Sequence, residues 1–160
     1  MFLGLVEEIV GRLADLSEGV GKVLDRIAGR VLSRDATSET EFLQDALVTI
    51  GQQAELLGHV RMGLLSLDRI LVYHAAVTPR DQAPRGLAKG IQRDIQALEV
   101  HADFLTSRIG MTIDATMGMI GLQQNERVRI LSVVTALFLP PTLIASIYGM
   151  NFRVIPGLEW

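Results

Sequence analysis

The sequence predicts an all-α protein in which an antiparallel helical hairpin precedes a long stalk helix that runs into a transmembrane helix. Apolar residues recur at three- and four-residue steps over most of the 160 residues, which is the period of a helix. Breaks occur only near residues 33–37 and 79–86. No charged side chain lies between Arg129 and Arg153, and an apolar run of that length can cross a bilayer.

Composition excludes several classes of function. Hydrophobic residues make up 49% of the chain, charged residues 21%, and the net charge is −3. A nucleic-acid partner is not expected, because such binding needs a concentrated basic surface. With no cysteine, disulfides and thiolate metal sites are excluded. No nucleophile–base set, phosphate loop or cofactor motif is found, so we predict neither an enzyme nor a bound cofactor.

The first helix is predicted from Phe2 to Val31, and the second from a capping box formed by Ser38 and Glu41. We expect the second helix to end near Val77, because Pro79 disfavours helical geometry in the residue before it. The predicted apolar stripes are Leu5, Ile9, Leu13, Leu16, Val20, Val23, Ile27 and Val31 in the first helix, and Phe42, Leu43, Ala46, Ile50, Leu57, Leu64, Leu67 and Leu71 in the second.

The third helix is predicted from Leu87 and has no proline before it enters the apolar segment at Ile130. A helix of roughly 50 to 60 residues would be about 75 to 90 Å long, which suits a stalk that crosses a membrane better than a small globular domain. Its predicted apolar stripe is Ile91, Ile95, Leu98, Ala102, Leu105, Ile109, Ile113 and Ile120.

The segment Ile130–Tyr148 has about the 20 residues that cross a bilayer, the alternative being a buried helix of a large soluble core. Pro140 and Pro141 are better tolerated in a membrane helix, where hydroxyls such as those of Thr135 and Thr142 can bond to the carbonyls that proline frees.

The flanking charges predict the orientation of this span. Arg127 and Arg129 precede it and only Arg153 follows closely, so the positive-inside tendency places the long helices in the cytoplasm and Asn151 outside. The predicted regions are 1–86, a cytoplasmic helical pair with its loop; 87–129, the cytoplasmic stalk; 130–149, the transmembrane helix; and 150–160, the start of an extracytoplasmic loop.

Polar and small residues share one face of the third helix. In a symmetric bundle this face would line the axis, and its oxygen atoms suit a cation that keeps its water shell, as Mg²⁺ does. The carboxylate of Asp114 would raise the local concentration of cations. The apolar side chains of Val128 and Leu131 could close the ion path by excluding water from it. The alternative is that the polar groups only join helices together. The face comprises Asp114, Gly121, Asn125, Val128, Ser132, Thr135, Leu139 and Thr142.

Other polar groups are weaker candidates. His59, His74 and His101 are too widely separated for a metal site, and Glu99 with Asp103 is interpreted as a solvated helix face that could bind cations weakly.

Three motifs give the chain a family resemblance. They are residues 114–120 (DATMGMI) followed by Gln124-Asn125, residues 138–145 (FLPPTLIA), and Tyr148-Gly149-Met150-Asn151-Phe152 directly after the span. Together they resemble the CorA family of magnesium transporters, whose defining motif is Gly-Met-Asn after the first membrane helix.

The resemblance implies a homopentameric channel in the cell inner membrane that admits hydrated Mg²⁺, often also Co²⁺ or Ni²⁺. It implies that Asn151 forms the outer selectivity ring with Gly149 and Met150 shaping the loop. Asp114 and Asn125 would be inner pore positions, and Val128 and Leu131 the hydrophobic constriction. Asn151 and Asp114 would contact the metal through its hydration shell.

Family members also have an N-terminal α/β domain, a second membrane helix and a basic tail, so the resemblance implies that this chain is a fragment lacking them. Arg153 also stands where family loops commonly carry an acidic residue. Two alternatives remain, a Zn²⁺-transporting relative and a single-span membrane scaffold without transport activity.

Overall fold

The computed structural model describes residues 1–33, 40–77 and 85–149, and nearly all of them are helical. Helix α1 is Phe2–Val31, α2 is Thr40–Val77 and α3 is Arg85–Gly149. The predicted all-α class and the predicted ends at Val31 and Val77 are confirmed, and α3 begins two residues before the predicted start. The proposed cap at Ser38 lies outside the described residues. The chain divides into two compact units, residues 1–120 and 121–160.

In the first unit, α1 and α2 form the predicted antiparallel pair. At one end the rings of Phe2 and His74 stack with their centroids 4.8 Å apart. At the other end the guanidinium of Arg30 lies 3.9 Å from the centre of the Phe42 ring. Between them, a Cβ at Gly63 would lie 3.4 Å from a methyl carbon of Leu13. This is an ordinary van der Waals distance, so the backbone of α2 lies close to the side chains of α1 at this point.

The first part of α3 packs on this pair and runs parallel to α1. A methyl group of Leu105 lies against Gly21, and Arg108 donates to Asp25. Toward α2, Arg61 forms an ion pair with Asp103 at 3.1 Å. All four charged side chains are partly exposed, so each pair contributes at most about 1 kcal/mol to the free energy of folding. The pairs join α3 to each of its two neighbours in addition to the apolar contacts.

Two apolar clusters make up the core between the three helices. The first lies where the end of α1 meets the start of α2 and contains Val20, Leu24, Ile27, Val31, Leu43, Ala46, Ile50, Leu57, Ala102, Leu105 and Ile109. The second lies where the start of α1 meets the end of α2 and contains Leu3, Val6, Val10, Val60, Leu64, Leu67, Leu71, Ile91 and Ile95.

The predicted stripe of α2 is confirmed, whereas parts of the other two stripes are wrong. In the first half of α1, Leu5, Ile9 and Leu16 are exposed, and the buried residues are Leu3, Val6, Val10 and Ser17. The apolar arc of this half covers more than one helix face, so spacing alone could not choose between them. In α3, Ile113 is exposed and the buried positions pass to Thr112 and Thr116. Their hydroxyls donate to the carbonyls of Arg108 and Thr112, so that neither is left unsatisfied.

Leu64 and Leu65 allow a direct test of this packing. Leu64 is fully buried and its neighbour Leu65 is 58% exposed. We expect Leu64→Ala to lower the free energy of unfolding by about 2 to 5 kcal/mol, because it leaves a cavity in the core. Leu65→Ala should change it by about 0.5 kcal/mol or less. Thermal unfolding of the purified protein followed by circular dichroism measures both, and equal losses would contradict the described packing.

Candidate functional site

The second unit presents an apolar helix surface. Every residue from 124 to 149 is exposed, and no charged residue follows Arg129 in α3. Among the helices of the described ranges, α3 is the one long and apolar enough to cross a membrane, and none of its apolar window is buried. A buried core helix would have its side chains covered by other parts of the chain. The exposed surface therefore favours the predicted membrane span.

Asp114, the predicted inner carboxylate, lies on α3 within the first unit. Its side chain is exposed, whereas Thr112 and Thr116 on the other side of the same turns are buried. Met111 and Met117, one turn before and after Asp114, are also exposed. The face that carries Asp114 is therefore unoccupied by α1 and α2 and is open to another partner.

The remaining predicted face lies in the second unit. Gly121 is half-buried, and the rest of the set is exposed: Asn125, Val128, Leu131, Ser132, Thr135, Leu139 and Thr142. Leu131 is offset by about one residue step of 100° from Ser132, so it lies at the border of the face. The structure places these side chains along one helix. An ion path enclosed by several copies of this helix stays a prediction, because the structure holds a single chain.

The three hydroxyls of this face all donate to their own helix. Ser132 donates to the carbonyl of Val128 at 2.8 Å, Thr135 to that of Leu131 at 2.8 Å, and Thr142 to that of Phe138 at 2.7 Å. This is the usual bond of a helical Ser or Thr to the carbonyl four residues earlier.

These bonds correct one expectation about the two prolines. Pro140 and Pro141 lie inside α3, and because proline has no N–H, the carbonyls of Ala136 and Leu137 lose their ordinary donors. The hydroxyls of Thr135 and Thr142 were expected to replace these donors. They bond to other carbonyls instead, because a helical hydroxyl reaches back by one turn from its own position.

A groove of about 500 Å³ runs along the side of the second unit that carries the hydroxyls of Thr135 and Thr142. Thr135, Leu139, Thr142 and Ser146 lie along it, and Val134, Phe138 and Leu143 complete its lining. Ser146 is absent from the predicted set, although its position four residues after Thr142 continues the same spacing. The groove is mostly apolar, with hydroxyl groups at intervals of seven and four residues.

The predicted selectivity motif lies at the end of the described helix. Gly149 is the last residue of α3. Met150 and Asn151 lie outside the described residues, as does Arg153. Their assigned roles therefore stay predictions from the sequence.

Direct metal coordination by the chain's own side chains finds no support in the described ranges. Within residues 1–33, 40–77 and 85–149, no group of three His, Asp or Glu residues is close enough to hold a metal ion. Asp103 is exposed, as expected for a solvated face, and its carboxylate also pairs with Arg61 of α2 at 3.1 Å. On the exposed side of α1, the ammonium of Lys22 donates to the carboxylate of Glu18 and lowers its pKa, which is a local surface effect.

Comparison with known proteins adds a second line of evidence. A family model described as CorA-like Mg²⁺ transporter protein matches residues 1–160. Relatives named magnesium transport protein CorA include those of Pasteurella multocida, 38% identical over 160 residues, and Mannheimia succiniciproducens, 35% identical over 160 residues. Another, from Haemophilus ducreyi, is 33% identical over 162 residues. The alignments cover 99% to 100% of this chain and 49% to 50% of each relative. The chain thus spans about half the length of the curated relatives it matches.

The assignment of the membrane span can be tested by introducing one charged residue into it. Leu137 in the span is 69% exposed and Val100 in the first unit is 70% exposed. We expect Leu137→Lys to reduce the carbonate-resistant, membrane-integrated fraction of the protein, because a lysine near the middle of a membrane helix costs about 3 kcal/mol. Val100→Lys should leave that fraction unchanged. Equal behaviour of the two variants would argue against a span at residues 130–149.

Proposed function

Because this chain belongs to the CorA family of Mg²⁺ transporters, we propose that it is a subunit of a channel that carries Mg²⁺ across a membrane. The observation that carries the proposal is the Gly149-Met150-Asn151 motif at the exit of an exposed, charge-free helix that bears a polar face. The family description is one of transporters rather than enzymes, in agreement with the prediction from the sequence.

Assembly is part of the proposal. A single helix encloses no path, so the proposed channel needs several copies around an axis, and five are expected from the family resemblance. The exposed face of α3 around Asp114 supports this arrangement, because α1 and α2 leave it free. Exposed apolar residues beside it, among them Met111 and Met117, are suitable for contacts between copies.

The proposed path begins at Asp114, whose carboxylates would raise the local concentration of cations. Val128 and Leu131 would form an apolar constriction, which lets ions pass only when water fills it. Asn125 and the hydroxyls of Ser132, Thr135 and Thr142 would contact the ion through its waters, since Mg²⁺ gives up its hydration shell reluctantly. Gly121 would leave room for the shell and Leu139 would line the path between two hydroxyl positions. Asn151 would form the outer ring, with Gly149 and Met150 shaping the loop.

The proposed orientation places the first unit in the cytoplasm and Asn151 outside the inner membrane, on the basis of Arg127 and Arg129 before the span. Uptake would then follow the membrane potential. Moving one elementary charge through 100 mV releases about 2.3 kcal/mol, so a divalent ion gains about twice that.

Co²⁺ and Ni²⁺, which also hold six waters, would be secondary substrates.

Asn151→Ala tests the selectivity ring. In a strain deficient in Mg²⁺ uptake, the complete open reading frame should restore growth at low Mg²⁺, and the Asn151→Ala variant should fail or need at least about tenfold more Mg²⁺, the equivalent of about 1.4 kcal/mol in binding. Undiminished growth with the variant would remove Asn151 from the mechanism. Failure of the wild-type protein to transport any divalent ion would favour the scaffold interpretation, and stronger competition by Zn²⁺ than by Co²⁺ would favour a zinc transporter.

Asp114→Asn tests the inner carboxylate ring. We expect Mg²⁺ uptake at subsaturating concentration and low ionic strength to fall about tenfold, because the variant removes the negative potential that concentrates the cation. High salt should reduce the difference by screening. Asp45→Asn, which changes the same charge at an exposed position of α2, is the matched control. Equal uptake by the two variants would contradict the assignment.

A further inference from the structure

Part of the surface of α1 is apolar although it points away from the core. Leu5, Ile9 and Leu16 are 61%, 37% and 43% exposed. At about 100° per residue, these three side chains lie within about 40° of one another around the helix, and about 130° from the buried Leu3 and Val10. They therefore form a second apolar stripe, which α2 and α3 leave exposed.

The second helix continues this apolar surface. The rings of Phe2 and His74 stack, and Leu13 lies against Gly63, so one step forward along α1 corresponds to one step back along α2. By this register Ile70, which is 45% exposed, lies level with the start of the α1 stripe. It precedes His74 by one turn, on the flank of α2 that points away from the core. We call the combined surface the outer strip; it consists of Phe2, Leu5, Ile9, Leu16, Ile70 and Val77.

The polar side chains beside the outer strip already have partners within their own helices. The guanidinium of Arg12 donates to the carboxylate of Glu8 at 3.1 Å, and the hydroxyl of Ser66 donates to the carbonyl of Met62 at 2.8 Å. The strip therefore suits an apolar partner rather than a charged one.

The outer strip is confined to one half of the helical pair. In the second half of α1, residues 17–31, every large apolar side chain is buried or half-buried. The exposed positions of that half include Lys22, Arg26 and Arg30. Exposed apolar surface is thus concentrated at the end of the pair next to Met1, and contiguous apolar patches mark sites of contact.

The length of the relatives indicates what could cover the strip. The chain spans about half the length of the curated relatives it matches, so a complete family member has about as many residues again. Elements that follow one another in sequence are usually neighbours in space. Residues joined to Met1 would reach the strip, which begins at Phe2, over a short connection.

We propose that residues preceding Met1 in the complete open reading frame form an apolar surface that docks on the outer strip of α1 and α2. Burying one side chain of the size of leucine or isoleucine shifts an equilibrium by about tenfold to a hundredfold, so the strip would hold the preceding part firmly. That part would then be attached to the α1–α2 pair rather than to α3. The inference concerns the complete protein's architecture and does not depend on what the protein transports.

Single cysteines test whether the strip is covered. The 160 residues contain no cysteine, and any cysteine outside them is replaced by serine. Leu5→Cys and Ile70→Cys report on the strip. Val48→Cys is the matched control, because Val48 is 62% exposed on α2 in the half of the pair that lacks the strip. Leu64→Cys, at a fully buried position, reports on folding.

The rate of reaction with a water-soluble maleimide is measured in two proteins purified in the same detergent. One is the product of the complete open reading frame, and the other begins at Met1 and continues to the end of the same frame. In the complete protein, Leu5→Cys and Ile70→Cys should react at least about tenfold more slowly than Val48→Cys, as expected for buried side chains. In the shortened protein all three should react at similar rates, while Leu64→Cys stays unreactive in both.

Three results would overturn the inference. The first is an open reading frame that begins at Met1, and the second is rapid reaction at the strip in both proteins. The third is slow reaction in both proteins, where loss of protection on dilution would identify a second copy as the cover and persistent protection would identify detergent or lipid.

A second measurement does not require the shortened protein. In the complete protein, Leu5→Lys should lower the midpoint of thermal unfolding by at least about 5 °C, because a lysine would be buried without a partner. Val48→Lys should change it by about 1 °C or less. Equal midpoints for the two variants would contradict the docking, whether or not the protein carries Mg²⁺.

Discussion

The helical main chain of α3 is the constraint on which the other features of the structure depend. In its first part this helix shares an apolar core with two neighbours, and in its last part it presents only its own side chains. Inside a bilayer, main-chain N–H and C=O groups must find partners within the protein, since lipid offers none. A continuous helix meets this requirement by itself, except at the carbonyls of Ala136 and Leu137, whose ordinary donors are replaced by prolines. Short polar side chains in such a segment can use the same main chain, as the hydroxyls of Ser132, Thr135 and Thr142 do when they donate to carbonyls of their own helix.

The two units also differ in how side chains are stabilised. In residues 1–120, leucine, isoleucine and valine fill the space between three helices, and buried hydroxyls such as that of Thr116 bond to the helix main chain. In the described part of the second unit, the same residue types face outward. Hydrophobic burial against protein therefore stabilises the first unit, while the second depends on what surrounds it. This difference is consistent with a family of membrane transporters.

Sequence periodicity was sufficient to predict the three helices, because each apolar stripe persists over many turns and the breaks contain proline or clustered polar residues. It was less able to predict which face is buried where apolar residues are abundant. In the first half of α1 both Leu3 and Leu5 are apolar and only the packing of α2 and α3 decides between them. The partners of Asp25, Asp103, Arg61 and Arg108 lie on other helices, so no local pattern could indicate them. The span and its polar face were predictable because charge-free length and residue spacing are local properties. Ser146, in contrast, was missed although the same spacing includes it.

The two interhelical ion pairs of the first unit have a mechanical consequence. Asp103 and Arg108 are five residues apart on α3, about 7.5 Å along its axis, and they reach toward α2 and α1 respectively. Rotation of α3 about its own axis would stretch both pairs at once. It would also expose buried side chains of α3 such as Leu105 and Ile109, which costs more free energy than two exposed ion pairs supply. The buried face and the two pairs therefore favour the same angular position of α3 within the first unit, and with it the direction in which Asp114, six residues beyond Arg108, points.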